Sequence, residues 1–357
     1  MAKTAKRTQP DDLKVLDFRS DTLTQPTAAM RKAMADAEVG DDLYGEDPTT
    51  RRLEERAAKL TGMEDALFIP SGTMGNQIAV WVHTQRRGAV LAEEFSHIAY
   101  YEGGAASLLS GASVKTVRAE GGVFGPKDIA TELEAAHDAH FQDIRMVAVE
   151  NTYQYAGGTC WSADQLAKVR DYTHAKGAKL HVDGARLFNA AVAQKATAAR
   201  LCKDVDSVMF CVSKGLSAPV GSLLCGSAAL VAEARDVRKV LGGGMRQSGH
   251  LAAAGLVALD TGIERLADDH ANARTLAKGL AGLPGVKVLG RPETNMVMTD
   301  VTKVPGGPTK FLADAREAGV LCGERGKDGI VRFVTHRNVA AADVKDAVAR
   351  LAVMLAD

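Results

Sequence analysis

Short runs of consecutive apolar residues recur along the chain, each followed by a stretch whose apolar positions return every three or four residues. Ala66–Ile69, Ala89–Ala92, Ser113–Val117, Arg145–Glu150, Ala178–Val182, Ser207–Val212 and Ser222–Cys225 read as strands. Between and around them, helices are expected over Pro26–Val39, from Asp47 through Leu60, Gln77–His83, a segment holding Tyr100 and Tyr101, Pro126–Ala136, Ala163–Lys176 and Ala228–Val240. Asp47 and Gly62 bracket one helix as cap residues, and Pro26 and Gly40 bracket another. Strands without polar interruption must be covered on both faces. Their alternation with helices predicts an α/β fold: a mostly parallel seven-stranded sheet between helices.

From Val286 the character changes, behind the break Gly282-Leu283-Pro284-Gly285. Shorter strands and the helices Thr309–Ala318 and Ala341–Leu355 predict a smaller C-terminal α/β domain. The expected division is a tail over 1–16, a large domain over 17–283 and a small one over 284–357.

Composition narrows the class. Of 357 residues, 46% are hydrophobic and 25% charged, as in ordinary globular enzymes. Lys plus Arg equals Asp plus Glu, 44 each, so no net field favours nucleic acid or a membrane surface. Five scattered cysteines without a CxxC pair point to reduced thiols and a cytoplasmic protein. Met1–Lys14 is polar and basic without an apolar core, unlike a secretory signal. His137 and His140 are three apart, but no third ligand is near, and no metal is expected.

Candidate chemistry collects at strand ends. In open α/β sheets, ligands bind beyond the carboxyl ends of the strands. The Gly72-Thr73 turn, His97, Asn151, Asp183 and Lys214 all fall at or just after such ends. Ser71-Gly72-Thr73-Met74-Gly75-Asn76 joins a strand to a helix N-terminus, where free N–H groups and the helix dipole suit a phosphate. It lacks the GxxxxGK[ST] pattern of a nucleotide loop, and no GxGxxG follows a strand. An Asp and a Lys on neighbouring strand ends suit pyridoxal phosphate (PLP): the amine condenses with its aldehyde, and the carboxylate pairs with its ring nitrogen.

Eight runs extend this reading over nearly the whole chain, in order: FRSDT (18–22), YGEDPT (44–49), PSGTMGN (70–76), HVDGAR (181–186), VSKGL (212–216), APVGS (218–222), GGGMRQ (242–247) and VRFVTH (331–336). Together they resemble the threonine aldolases of the aspartate-aminotransferase-like (fold type I) PLP enzymes. The resemblance implies roles. Lys214 would carry the cofactor, Asp183 would pair with its ring nitrogen, Gly72 and Thr73 would hold its phosphate, and His97 would stack on its ring. Arg186, Arg332 and Ser20 would hold the substrate carboxylate. Lys239 and Arg246 would lie near the phosphate, and Tyr44 would reach across a subunit boundary. A homo-oligomer, a dimer of dimers with shared active sites, is implied.

The implied reaction is retro-aldol cleavage of L-threonine or L-allo-threonine to glycine and an aldehyde. One departure stands out: Tyr153 occupies the place of a family histidine thought to touch the substrate β-hydroxyl. Tyr153 is therefore an expected substrate contact, and its ring suggests a taste for aryl substituents such as that of phenylserine. With a phenol unperturbed near ~10, Tyr153 is a poor base, and His97 is the other candidate. The rival readings are a β-eliminating lyase on the same fold and a PLP-fold module without turnover.

Overall fold

The computed structural model describes residues 14–85, 88–134, 142–326 and 328–356. His137 and His140 lie outside them. Two units are present, Thr22–Asp268 and a second that joins Asp269–Asp357 to the N-terminal segment through Asp21.

The N-terminal segment carries β1 (Leu16–Asp17). The larger unit then holds β2 (Asp65–Ile69), β3 (Ala89–Glu93), β4 (Ser113–Val117), β5 (Ile144–Glu150), β6 (Lys179–Asp183), β7 (Ser207–Cys211) and β8 (Ser222–Gly226). These last seven form one sheet in the order β2-β8-β7-β6-β5-β3-β4. The pairs from β7 through β4 are parallel, and β8 runs antiparallel to both its neighbours. Every residue of β3, β7 and β8 is buried, which is why these strands read as unbroken apolar runs.

Two helix boundaries move from their expected places. The first helix is Ala28–Ala35, shorter than Pro26–Val39. Thr27, not Pro26, is its cap, accepting from the Met30 amide at 3.2 Å. Its far end stops because the next residues are bound elsewhere: the Glu38 carbonyl accepts from the Thr49 hydroxyl, and the Gly40 amide donates to Asp47. The expected Gln77–His83 helix is Gly72–Thr84, starting five residues earlier. The Gly-containing turn is thus the helix's own first turn, capped by the Ser71 hydroxyl.

In the second unit, β9 (Lys287–Leu289), β10 (Met296–Asp300), β12 (Gly323–Arg325) and β13 (Ile330–Val334) form an antiparallel sheet in the order β12-β13-β10-β9, while the short β11 (Val320–Leu321) pairs in parallel with β1. The two units divide at Asp21/Thr22 and Asp268/Asp269 rather than at the expected 283/284. Leu16 and Phe18 share a core with Ala273, Leu276 and Leu280 of the helix Leu266–Leu280 and with Phe311 and Phe333. Leu16, expected within the N-terminal tail, therefore belongs to this core, and the unit boundary falls at Asp269. Among the described residues no helix is long and apolar enough to cross a membrane.

Candidate active site

Three parallel strands end in carboxylates side by side: Glu93 on β3, Glu150 on β5 and Asp183 on β6, with Glu150 and Asp183 in register. β7 continues to Lys214. The turn carrying that lysine is held tightly. The Lys214 carbonyl accepts from the Ser217 amide at 2.9 Å and the Thr24 hydroxyl at 2.8 Å, and the Ala218 amide donates to the Val212 carbonyl at 3.0 Å. Ser217 is buried at φ 70°, a left-handed conformation that costs a non-glycine residue energy and is found where a site demands it.

A cavity of about 320 Å³ opens over these ends, lined by Gly72, Thr73, Asn76, His97, Asp183 and Lys214, with Cys211 and Met209 at its wall. The structure thus gathers five of the expected site residues, Gly72, Thr73, His97, Asp183 and Lys214. Gly72 packs closely: a Cβ there would lie 3.0 Å from the Cys211 sulfur and 3.1 Å from the Met209 methyl. Amides in the first turn of a helix have no intrahelical acceptor, so those of Gly72 and Thr73 suit an anion.

Three acidic or amide residues around the cavity escaped the sequence reading. Glu102 has a fully buried side chain, and its Oε1 meets the His97 Nδ1 at 2.8 Å. Asn76 donates to Glu102 and to Asp183, both at 2.8 Å. Glu150 accepts from the His97 amide at 2.7 Å and the Gln154 amide at 2.9 Å. Burial and the neighbouring Asp183 charge push the Glu150 carboxyl above the usual range, against the pull of those two amides. For His97, burial favours the neutral ring, but the Glu102 bond and the Asp183 charge outweigh it, and the imidazole titrates above its ordinary value. The His97, Glu102 and Asp183 donor atoms lie within 4.8 Å of one another. Amide hydrogens of Asn76 and Gln77 point at these carboxylates, so hydrogen bonds account for the cluster without a metal ion.

Tyr153, the expected substrate contact, stands apart from the cavity lining. Its ring is buried, its hydroxyl donates to Glu93, and it does not line the cavity. Burial, and then the Glu93 carboxylate, raise its phenol further above the usual range. The residue turns inward because the Tyr153 amide bonds the Thr159 carbonyl and its carbonyl accepts from Gly158, closing a tight hairpin.

The remaining expected residues stand elsewhere. Arg186 is buried at the start of the helix Leu187–Gln194. Tyr44 is 78% exposed, on a separate cleft of about 500 Å³ that Asp42 and Arg235 also line. Arg246 reaches Asp41 at 3.4 Å, and neither it nor Lys239 lines the Lys214 cavity. In the second unit, Arg332 on β13 extends a guanidinium nitrogen to the Arg19 carbonyl at 3.4 Å, beside Ser20.

Comparison with known proteins bears on this geometry. Residues 17–304 match the family model described as beta-eliminating lyase. A low-specificity L-threonine aldolase of Arabidopsis thaliana is 44% identical over 345 residues, covering 93% of this chain and 94% of its own. The chain belongs to the threonine aldolase group of the beta-eliminating lyase family. A low specificity L-threonine aldolase of Escherichia coli K12 is 36% identical, covering 96% of this chain and all of its own length. Among solved structures, a threonine aldolase of Leishmania major superposes with a TM-score of 0.83 at 23% identity, covering 95% of this chain and 99% of its own, which shows the shared fold. The cofactor of this threonine aldolase group is PLP. The residues present fit it: a lysine on a rigid turn, a buried carboxylate held by two donors, an imidazole at the same cavity, and a helix N-terminus kept open by Gly72.

Proposed function

We propose that this protein cleaves L-threonine, L-allo-threonine and related β-hydroxy-α-amino acids at the Cα–Cβ bond, releasing glycine and an aldehyde. The observation that carries the reading is the convergence of Lys214, Asp183, His97 and the Gly72-Thr73 helix start on one cavity, in a chain 44% identical to a named L-threonine aldolase.

Lys214 holds the cofactor through its Nζ, and Asp183 anchors the ring nitrogen. PLP, when bound, supplies an electron sink for the pair released as the Cα–Cβ bond breaks. The Asp183 carboxylate is ready for a cationic partner, since Asn76 and the Ala185 amide (3.0 Å) fix its two oxygens. Gly72 and Thr73 receive the phosphate. Arg186, Arg332 and Ser20 would hold the substrate carboxylate and so set which Cα bond is presented for cleavage. Forked, charge-assisted bonds from arginine fix orientation as well as position.

His97 takes the β-hydroxyl proton, directly or through water. Its Nδ1 is committed to Glu102, which leaves Nε2 for the substrate side. Tyr153 is engaged by Glu93, and threonine itself is the substrate we assign. We further infer a cytoplasmic homo-oligomer, a dimer of dimers, in which Tyr44, Lys239 and Arg246 serve a neighbouring subunit's site; their exposure outside their own cavity supports this.

Incubating the PLP-loaded protein with threonine and identifying products tests the assignment. Glycine and acetaldehyde in equal amounts support it. A keto acid and ammonia would instead make the protein a β-eliminating lyase, and an unchanged cofactor spectrum a module without turnover.

A further inference from the structure

Both amide hydrogens of Asn76 and its carbonyl oxygen are engaged. Its side chain is fully buried in the first turns of the helix Gly72–Thr84. One Nδ2 carries both amide hydrogens, to Glu102 Oε1 and to Asp183 Oδ2, each at 2.8 Å. Two carboxylates accept only, so the amide orientation is determined and its Oδ1 must face the other way. There it meets His181 Nε2 at 3.2 Å.

The chain of bonds continues. His181 Nδ1 meets the Ser207 hydroxyl at 2.8 Å, and that hydroxyl meets His83 Nε2 at 2.8 Å. His181 and Ser207 are fully buried. Burial keeps both imidazoles neutral, His181 at about 3 and His83 at about 4, with Asp206 and Lys179 acting in opposite senses on His83. A neutral imidazole has one donor and one acceptor. Since Asn76 offers an oxygen, His181 donates from Nε2 and accepts at Nδ1. Ser207 must then donate to His181 and accept from His83. Every hydrogen has one place to go.

The fold sets this up simply. Asn76 and His83 are seven apart, on one face of the helix. His181 and Ser207 are register partners on β6 and β7 beneath it. Holding a helix to a sheet needs only apolar contact, and a buried polar chain is costly unless every member is satisfied. This one is satisfied, and it ends on the two carboxylates that the reaction uses.

We propose that Asn76 is a positioning residue whose single amide aligns Asp183 toward the cofactor's ring nitrogen and Glu102 toward His97, and that His83, Ser207 and His181 set its orientation from behind the sheet. This rests on the roles of Asp183 and His97 given above.

The test uses the PLP-loaded protein and the variants Asn76→Ala, Ser207→Ala and Ser207→Thr. Ser207 is remote from the cavity, so Ser207→Ala removes one hydroxyl without touching the site. Three quantities are read for each: the Kd for PLP, the pH midpoint of the visible absorption band of the bound cofactor, and borohydride trapping at Lys214. Asn76→Ala weakens PLP by about ten- to a hundred-fold, the effect of losing a bond to a charged group. Its absorption midpoint moves by about one unit. Ser207→Ala moves both in the same direction by less, about three- to ten-fold in Kd. Ser207→Thr, which keeps a hydroxyl, returns the midpoint toward that of the parent. If Asn76→Ala does not fold, the Ser207 pair carries the test. Trapping at Lys214 with Kd and midpoint unmoved in both Ala variants overturns the relay while the site reading stands. Absence of trapping in the parent protein overturns both.

Discussion

Glu102 follows His97 by five residues, and its carboxylate closes on the imidazole Nδ1 at 2.8 Å. The segment between them, His97–Tyr101, is a π turn. An i to i+5 turn brings residues five apart together, and such turns are found often at functional sites. The pair has the base-and-orienter form expected of a proton-transferring histidine.

This geometry predicts a pH effect with a definite sign. The Glu102 charge favours the imidazolium, so the neutral, proton-accepting ring of His97 appears only at higher pH. Glu102→Gln removes that charge, and the acidic limb of kcat/KM for threonine cleavage moves to lower pH. kcat itself falls, by less than the about 10²–10⁴ lost with a whole base. A pH–rate profile measures both, and an unmoved acidic limb would mean that Glu102 does not tune His97.

Tyr153→Phe separates stability from catalysis. Removing the hydroxyl leaves Glu93 with the Phe95 amide at 2.7 Å but without its phenol donor. The cost in stability is about 1–3 kcal/mol, typical of an unsatisfied buried acceptor. Threonine cleavage stays within about two-fold of the parent per folded molecule. A large loss of kcat/KM with melting unchanged would return Tyr153 to the substrate.

Gly184 explains part of its own motif. A Cβ there would sit 2.8 Å from the Met209 carbonyl oxygen, to which the Gly184 amide already donates at 2.7 Å. Gly184→Ala must part the ends of β6 and β7, a strain of about 1–3 kcal/mol. Because Asp183 is the preceding residue, PLP binding weakens as well. Thermal melting and a PLP titration check the two effects together.

Arg332→Lys probes the carboxylate clamp. Lysine keeps the charge and loses the fork. The expected loss in kcat/KM is about ten- to a hundred-fold with PLP content unchanged. Near-normal turnover would remove Arg332 from the substrate site.

The parts legible from sequence share a cause. Buried strands such as Ala89–Glu93 are apolar up to the residue that ends them, so their ends can be read, and Asp183, Lys214 and Gly72 are placed by those ends. Glu102 and Asn76 are placed by a π turn and by a helix starting five residues early, neither of which leaves a periodic trace. That the N-terminal segment joins the second unit is not legible locally, because β1 pairs with β11, far along the chain. The direction of Tyr153 is set by a hairpin with Thr159, which the residue type at that position does not reveal.

The central claim is that Lys214 carries the cofactor. Reducing the PLP-loaded protein with borohydride and mapping its peptides by mass spectrometry tests this directly. The account predicts a phosphopyridoxyl adduct on Lys214 and its disappearance, with the colour, in Lys214→Ala. A colourless protein after PLP is supplied, or an adduct on another lysine, would contradict it.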